Sequence, residues 1–224
     1  MLPVLIQSEA EYSQQVKDYF KEVILMIVIV DYGTGNLHSI EKSIKRYYPD
    51  VIITKDFALI EQARAIILPG VGAFGDAIKE IKQNGLYDIL IERINQIPTL
   101  GICLGMQLLF SQSQESCGIH GLNIIPGKVH RIMKTKSKIV KIPHTGWNRL
   151  IPTSKPYFYG YAYFNHSYYC CPTDTNLIIS RVDHGISIPV IILKDRILGV
   201  QFHPEKSKKV GENLIQYFIS LIEK

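Results

Sequence analysis

The apolar positions along this chain change rhythm twice. Ser8 to Glu22 reads as a short amphipathic helix: Ser8 and Glu11 have capping-box spacing, and Tyr12, Val16, Tyr19, Phe20 and Val23 recur at helical intervals. Met26-Ile27-Val28-Ile29-Val30-Asp31 is then a β-branched run without alternation, as expected of a strand covered on both faces. A turn at Tyr32 to Asn36 leads into helical spacing from Leu37 to Tyr47. The cycle recurs with strands at Val51 to Thr54 and Ala65 to Leu68, a turn at Pro69 to Gly72, and helices at Phe74 to Lys82 and Leu86 to Asn95. A strand at Pro98 to Ile102 and a helix from Gly105 to about Ser113 complete this half. Strands alternating with helices at this spacing predict an α/β fold: a mostly parallel central sheet with helices on both faces.

After Gly121 the pattern predicts strands at Lys128 to Met133, Tyr161 to Tyr169, Leu177 to Val182, Ser187 to Leu193 and Ile197 to Phe202, with no long helix between them. Lys194-Asp195 reads as a hairpin turn. This half is either an added antiparallel layer or an extension of the same sheet. A closing amphipathic helix, Ser207 to Glu223, carries Val210, Leu214, Phe218 and Leu221 on one face.

Composition narrows the class more than the chemistry. A chain of 224 residues with 46% hydrophobic and 20% charged residues can bury a sizeable core, which excludes disorder. The net charge of +5 is too mild for a nucleic-acid binder. The basic residues from Lys128 to Lys141 form either an anion-facing surface or a solvated face. The longest apolar run, Val23 to Val30, is far short of the roughly 20 residues a membrane helix needs. Cys103, Cys117, Cys170 and Cys171 make neither a disulfide framework nor a CxxC zinc spacing, so a reducing, cytoplasmic setting and no metal are expected.

Three turns carry candidate chemistry. Gly101-Ile102-Cys103-Leu104-Gly105 lies where a strand meets a helix. It is either a buried cysteine between packing glycines or a nucleophile elbow with cysteine in place of serine. In the second case the following helix N-terminus favours the thiolate. His203-Pro204-Glu205 is either a surface turn or the base and orienting carboxylate that a thiol nucleophile needs. Pro69-Gly70-Val71-Gly72 is a plain glycine turn or an oxyanion donor beside the N–H of Leu104. Placed together at the carboxyl ends of strands in one α/β sheet, the three reinforce one another, because ligand sites gather there.

The run Gly101 to Gln107 with the distant His203-Pro204-Glu205 resembles the class I, triad-type glutamine amidotransferases. The segments Asp31 to His38, Leu68 to Gly75, Pro143 to Asn148, Tyr163 to Tyr169 and Gly199 to Ser207 are similar to those of the glutaminase subunits of imidazole glycerol phosphate synthases. The resemblance runs from Met26 to the C-terminus. It implies a flavodoxin-like fold over residues 26–224, a glutamine amidotransferase type 1 domain. Residues 1–25 are then an extension: a helix of their own or the product of an upstream start codon.

Carried over residue by residue, the resemblance implies Cys103 as nucleophile, His203 as base and Glu205 as its orienting carboxylate. It implies oxyanion donors at the backbone of Val71 and Leu104, and glutamine binding at Gly72 and Gln107. It requires no cofactor and no metal. It also implies a separate (β/α)8-barrel cyclase subunit in a heterodimer, which uses the ammonia to make imidazole glycerol phosphate in histidine biosynthesis. Asn36, His144, Trp147, Asn148, His166 and Lys206 are the expected docking residues. Thr145 and Asn165 depart from the family, which usually carries methionine and valine there; they bear on coupling and acceptor choice. Two other readings are a paralogous subunit feeding ammonia to another acceptor, such as a surface-polysaccharide sugar, and a non-catalytic regulatory module.

Overall fold

The computed structural model describes residues 26–33, 36–133 and 141–223. The helix expected over Ser8 to Glu22, the extension it belongs to and part of the basic stretch lie outside them. The strands are β1 (Ile27–Val30), β2 (Val51–Thr54), β3 (Ala65–Leu68), β4 (Thr99–Ile102), β5 (Phe110–Ser113), β6 (Ile125–Arg131), β7 (His144–Arg149), β8 (Ile151–Pro152), β9 (Tyr161–His166), β10 (Tyr168–Pro172), β11 (Ile178–Asp183), β12 (Ser187–Lys194) and β13 (Ile197–Val200). The helices are α1 (Leu37–Lys45), α2 (Phe57–Glu61), α3 (Phe74–Gln83), α4 (Tyr87–Gln96), α5 (Leu104–Leu108) and α6 (Lys208–Ile222).

An eight-stranded sheet in the order β2-β1-β3-β4-β13-β12-β11-β8 runs through the molecule. The pairings from β2 to β13 are parallel, and those from β13 to β8 antiparallel. The antiparallel half is therefore both things expected of it. Strands β11 to β13 extend the central sheet, while β10-β6-β5 and β7-β9 form two smaller sheets beside it.

The unalternating runs do what their burial requires. Ile27 and Ile29 pack into one core, with Leu100, Ile102, Phe202 and the inner face of α6. Val28 and Val30 pack into the other, with Ile66, Leu68, Phe74, Ile78 and Leu90. Each β-branched side chain is thus removed from water on one face or the other, which at about 25 cal/mol per Å² is the main term holding the sheet between its helices.

Several boundaries differ from expectation. The helix expected from Gly105 to Ser113 stops at Leu108, and Phe110–Ser113 becomes a strand instead, paired in parallel with β6. Ladder pairing satisfies the backbone of Ser111-Gln112-Ser113, which has no apolar helical face to offer. The run Tyr161 to Tyr169 is two strands, β9 and β10, which pair with different partners and break at Ser167. The hairpin turn between β12 and β13 is Asp195-Arg196, one residue later than expected, with Asp195 at φ 54°. Helix α2 and strand β7 were not expected from the pattern. The first is a single turn capped by Asp56, whose carboxylate accepts from the N–H of Leu59 at 3.1 Å.

Candidate active site

Strands β3, β4 and β13 are neighbours, and the three candidate turns leave their carboxyl ends. Cys103 sits between β4 and α5 at φ 52° and ψ −103°, a strained conformation for a residue with a Cβ. Its glycine neighbours make the turn possible. A Cβ on Gly101 would lie 2.9 Å from the Gly105 and Met106 backbone, and one on Gly105 would lie 1.9 Å from the Leu68 carbonyl oxygen. The Cys103 N–H donates to Val200 O at 2.7 Å, tying the elbow to β13.

His203 lies beyond the end of β13 and not within it. It stands at the head of a 3-10 turn, Pro204–Lys206, which bends the chain so that Glu205 comes back alongside. Strand alternation would also put residues two apart on one face, but here the turn does so. His203 Nδ1 meets Glu205 Oε1 at 3.0 Å, with only 5% and 2% of the two side chains exposed. The Cys103 thiol is the ring's other polar neighbour. Burial alone would lower the His203 pKa. Its hydrogen bonds to Cys103 and Glu205 outweigh that and carry it up to about 9, so the imidazolium is favoured beside a sulfur able to carry the negative charge.

Val71, Gly72, Cys103, Leu104, Gln107, Glu115, Pro143, Asn165, His166, Ser167 and Tyr168 line a cavity of about 290 Å³ over the elbow, large enough for a free amino acid. Every residue expected at the substrate, oxyanion or nucleophile positions lies on it. The Pro69–Gly72 loop is fixed at its root, where the Tyr32 hydroxyl donates to Pro69 O and Gly70 packs on Leu104. Its tip is open: Val71 is 41% exposed and Gly72 has φ 124°.

The expected docking residues fall into an exposed and a buried group, with Asn148 half-buried between them. Asn36, Trp147 and Lys206 are exposed; the Trp147 ring meets Tyr163 edge-on and lies under Lys208 Nζ at 5.6 Å, while Lys206 Nζ lies 5.7 Å over Tyr163. His144 and His166, at 3% and 5% exposure, are buried and present no docking surface, which corrects that expectation. They are opposed across the β7-β9 pair, and His144 Nδ1 meets His166 Nε2 at 3.0 Å.

Donors and acceptors fix the tautomers of the pair. Tyr168 O can only accept, so His166 donates from Nδ1 (2.8 Å) and receives at Nε2. His144 therefore donates from Nδ1 and accepts from Asn148 Nδ2 at 3.2 Å. Burial pushes His144 down to about 4 and His166 to about 3, so both rings are neutral. His184 belongs to the same cluster, stacked on His144 at 4.0 Å between ring centroids.

Sequence reasoning also missed Gln201 and Glu115. Gln201 is fully buried two residues before His203, and its Nε2 donates to Cys103 Sγ at 3.6 Å. Glu115 Oε2 accepts from the Phe74 N–H at 2.7 Å, just beyond the Pro69–Gly72 loop. Gln201 was readable as the inward-facing polar residue of an otherwise apolar strand run; Glu115 carried no local signal. Among the described residues no group of three or more His, Cys, Asp or Glu side chains could hold a metal ion, and no helix is long and apolar enough to cross a membrane.

A cysteine on a strained strand–helix turn, with a buried histidine–carboxylate pair beside it, is a thiol acyl-transfer site. The profile of the family "Glutamine amidotransferase class-I" matches residues 28–220, and the chain belongs to that family. Within it, the chain is 42% identical over 203 residues to the imidazole glycerol phosphate synthase subunit HisH of Methanothermobacter thermautotrophicus (88% of this chain, 99% of that one). It is 39% identical over 206 residues to the HisH subunit of Geobacillus sp. strain WCH70 (88% and 98%). Solved structures share the fold: a glutamine amidotransferase crystal structure at TM-score 0.71 with 18% identity, covering 88% of this chain and 99% of that one. PurLQS from Thermotoga maritima follows at 0.60 and 16%, covering 87% and 97%.

Proposed function

We propose that this chain is the glutaminase subunit of an imidazole glycerol phosphate synthase. Its single carrying observation is the buried Cys103–His203–Glu205 arrangement, whose Cys103 lines an amino-acid-sized cavity, in a chain about 40% identical to HisH subunits over most of its length.

Glutamine occupies the cavity against Gly72 and Gln107. The Cys103 thiolate attacks its side-chain amide carbon, and the backbone N–H groups of Val71 and Leu104 receive the oxyanion. His203, held by Glu205 and charged at neutral pH, protonates the departing nitrogen, so ammonia leaves and a γ-glutamyl thioester remains. Water deprotonated by His203 hydrolyses the thioester to glutamate. No step needs a metal or an organic cofactor. Residues 26–224 are the catalytic domain, acting in the cytoplasm. The ammonia passes to a (β/α)8-barrel cyclase in a heterodimer, docked through the face carrying Asn36, Trp147 and Lys206.

The test is Cys103→Ala in the assembled complex. Glutamine-dependent formation of imidazole glycerol phosphate should fall to background while synthesis from added ammonium salt survives. Glutamine-dependent turnover retained in Cys103→Ala would sink the assignment.

A further inference from the structure

Two buried glutamine side chains, Gln107 on the cavity wall and Gln201 behind the nucleophile, have orientations that are forced. Tyr168 O only accepts, so Gln107 presents its amide nitrogen to it at 3.3 Å. The same nitrogen reaches Gln201 at 3.4 Å, so Gln201 must present its oxygen there. The other end of the Gln201 amide, its NH₂ group, is thereby turned to Cys103 Sγ at 3.6 Å. Tyr168 O is itself held by His166, which His144 and Asn148 hold in turn, so one chain of directed hydrogen bonds runs from β7 to the sulfur.

We propose that the Gln201 side-chain amide is a positioning group for the nucleophile: it donates to the Cys103 sulfur, favours the thiolate and fixes its direction, with its own orientation set through Gln107 by the Tyr168 carbonyl. Gln201 is completely buried and does not line the cavity, so it acts on the sulfur from the protein side and leaves the substrate side open. A donor that faces a thiolate in a dry site is worth more than in water, and it can do nothing comparable for the neutral thiol. The titratable groups nearest the sulfur are His203, with Glu205 behind it, and Cys170, while His166 and Glu115 line the same cavity. Burial holds the Cys170 thiol protonated and His166 neutral, which leaves His203 and Gln201 as the side-chain donors beside the Cys103 sulfur.

The proposal rests on the glutaminase reading only for its rate prediction, so the experiment reads the sulfur without glutamine. Iodoacetamide modification of Cys103, followed by mass spectrometry of its peptide against pH, is compared in the parent chain, Gln201→Met and Gln201→Glu. Gln201→Met keeps the length and loses the donor; Gln201→Glu keeps the shape and faces the sulfur with an acceptor. The midpoint should rise by about half to one pH unit in Gln201→Met and further in Gln201→Glu. For glutamine hydrolysis in the complex, kcat should fall about tenfold in Gln201→Met, with KM within about twofold. Midpoints in both variants within about 0.2 unit of the parent would overturn the proposal. If neither variant folds, the parent decides: a Cys103 midpoint at or above that of the exposed Cys117 in the same molecule overturns it equally. Lost hydrolysis with the midpoint shifts intact would count against the glutaminase reading and leave Gln201 in place.

Discussion

The two sides of the cavity are built to opposite specifications. On the elbow side, Gly101, Cys103, Leu104, Gly105 and His203 are all buried, and backbone packs so closely that two positions have no room for a Cβ. On the loop side Pro69 and Gly70 anchor the root and Phe74, bonded to Glu115, the far end; between them Val71 is exposed, and Gly72 has a backbone geometry that suits only glycine. The atoms proposed to break and form bonds therefore belong to the rigid core of the fold. The donor proposed for the oxyanion hangs on the part that can turn. Such a division lets a subunit keep its nucleophile assembled while its turnover is set by one peptide.

The comparison can be broken by giving each side the same small insult. Gly105→Ala drives a methyl group against the Leu68 carbonyl, where the added carbon would sit 1.9 Å from the oxygen, and neither strand nor elbow is free to yield. Destabilisation of about 3 kcal/mol or more is expected, read as loss of soluble protein or a drop in Tm of many degrees. A Gly105→Ala protein melting with the parent would mean that the elbow is not rigid.

Gly72→Ala is the matching change on the loop. At φ 124° an alanine is strained, and the peptide relieves the strain by turning. Because the tip packs on little, Tm should move by no more than about 2 °C, whereas glutamine hydrolysis by the complex should fall about 100-fold, the usual cost of one oxyanion donor. Equal effects on Tm and rate in both variants would erase the distinction between the sides.

How much of this was legible in the sequence follows the same line. The elbow, the His203–Glu205 pair and the parallel strands are written in short-range signals: paired glycines, a β-branched run, residues two apart. The β7-β9 pair was not, because His144-Thr145-Gly146-Trp147 is broken by a glycine and has no clean apolar face; it becomes a strand by pairing with Tyr163 to His166. For the same reason His144 and His166 looked like surface residues available to a partner. Their burial depends on a stack with Phe164 and His184, and on hydrogen bonds across 22 residues of sequence, which no local pattern encodes. Gln107 and Gln201, 94 residues apart, are the same case.

His166 lines a third side of the cavity with His144 behind it, and a milder perturbation tells which of the other two it resembles. His144 and His166 are held neutral, pushed by burial to about 4 and about 3, against an ordinary value of 6.5 in the unfolded chain. Their folded values are depressed, so the stability they contribute is complete above about pH 6.5 and drains away as pH falls toward 4 and below. Each histidine adds a slope of up to about 1.4 kcal/mol per pH unit in that window, as the unfolded chain takes up a proton that the native one refuses. His203 has the opposite sign: raised to about 9, it stabilises fully below about pH 6.5 and fades as pH climbs through 9. Urea unfolding of the chain at pH 6.5, 5.5 and 4.5 should therefore show falling stability, and His144→Gln, which keeps a neutral polar group at the site, should flatten the fall by about one proton's worth. A parent chain with no slope between pH 6.5 and 4.5 would mean that the β7-β9 side opens as readily as the loop. The slope that we expect groups it with the elbow, and leaves the Val71–Gly72 tip as the part of the cavity wall free to move.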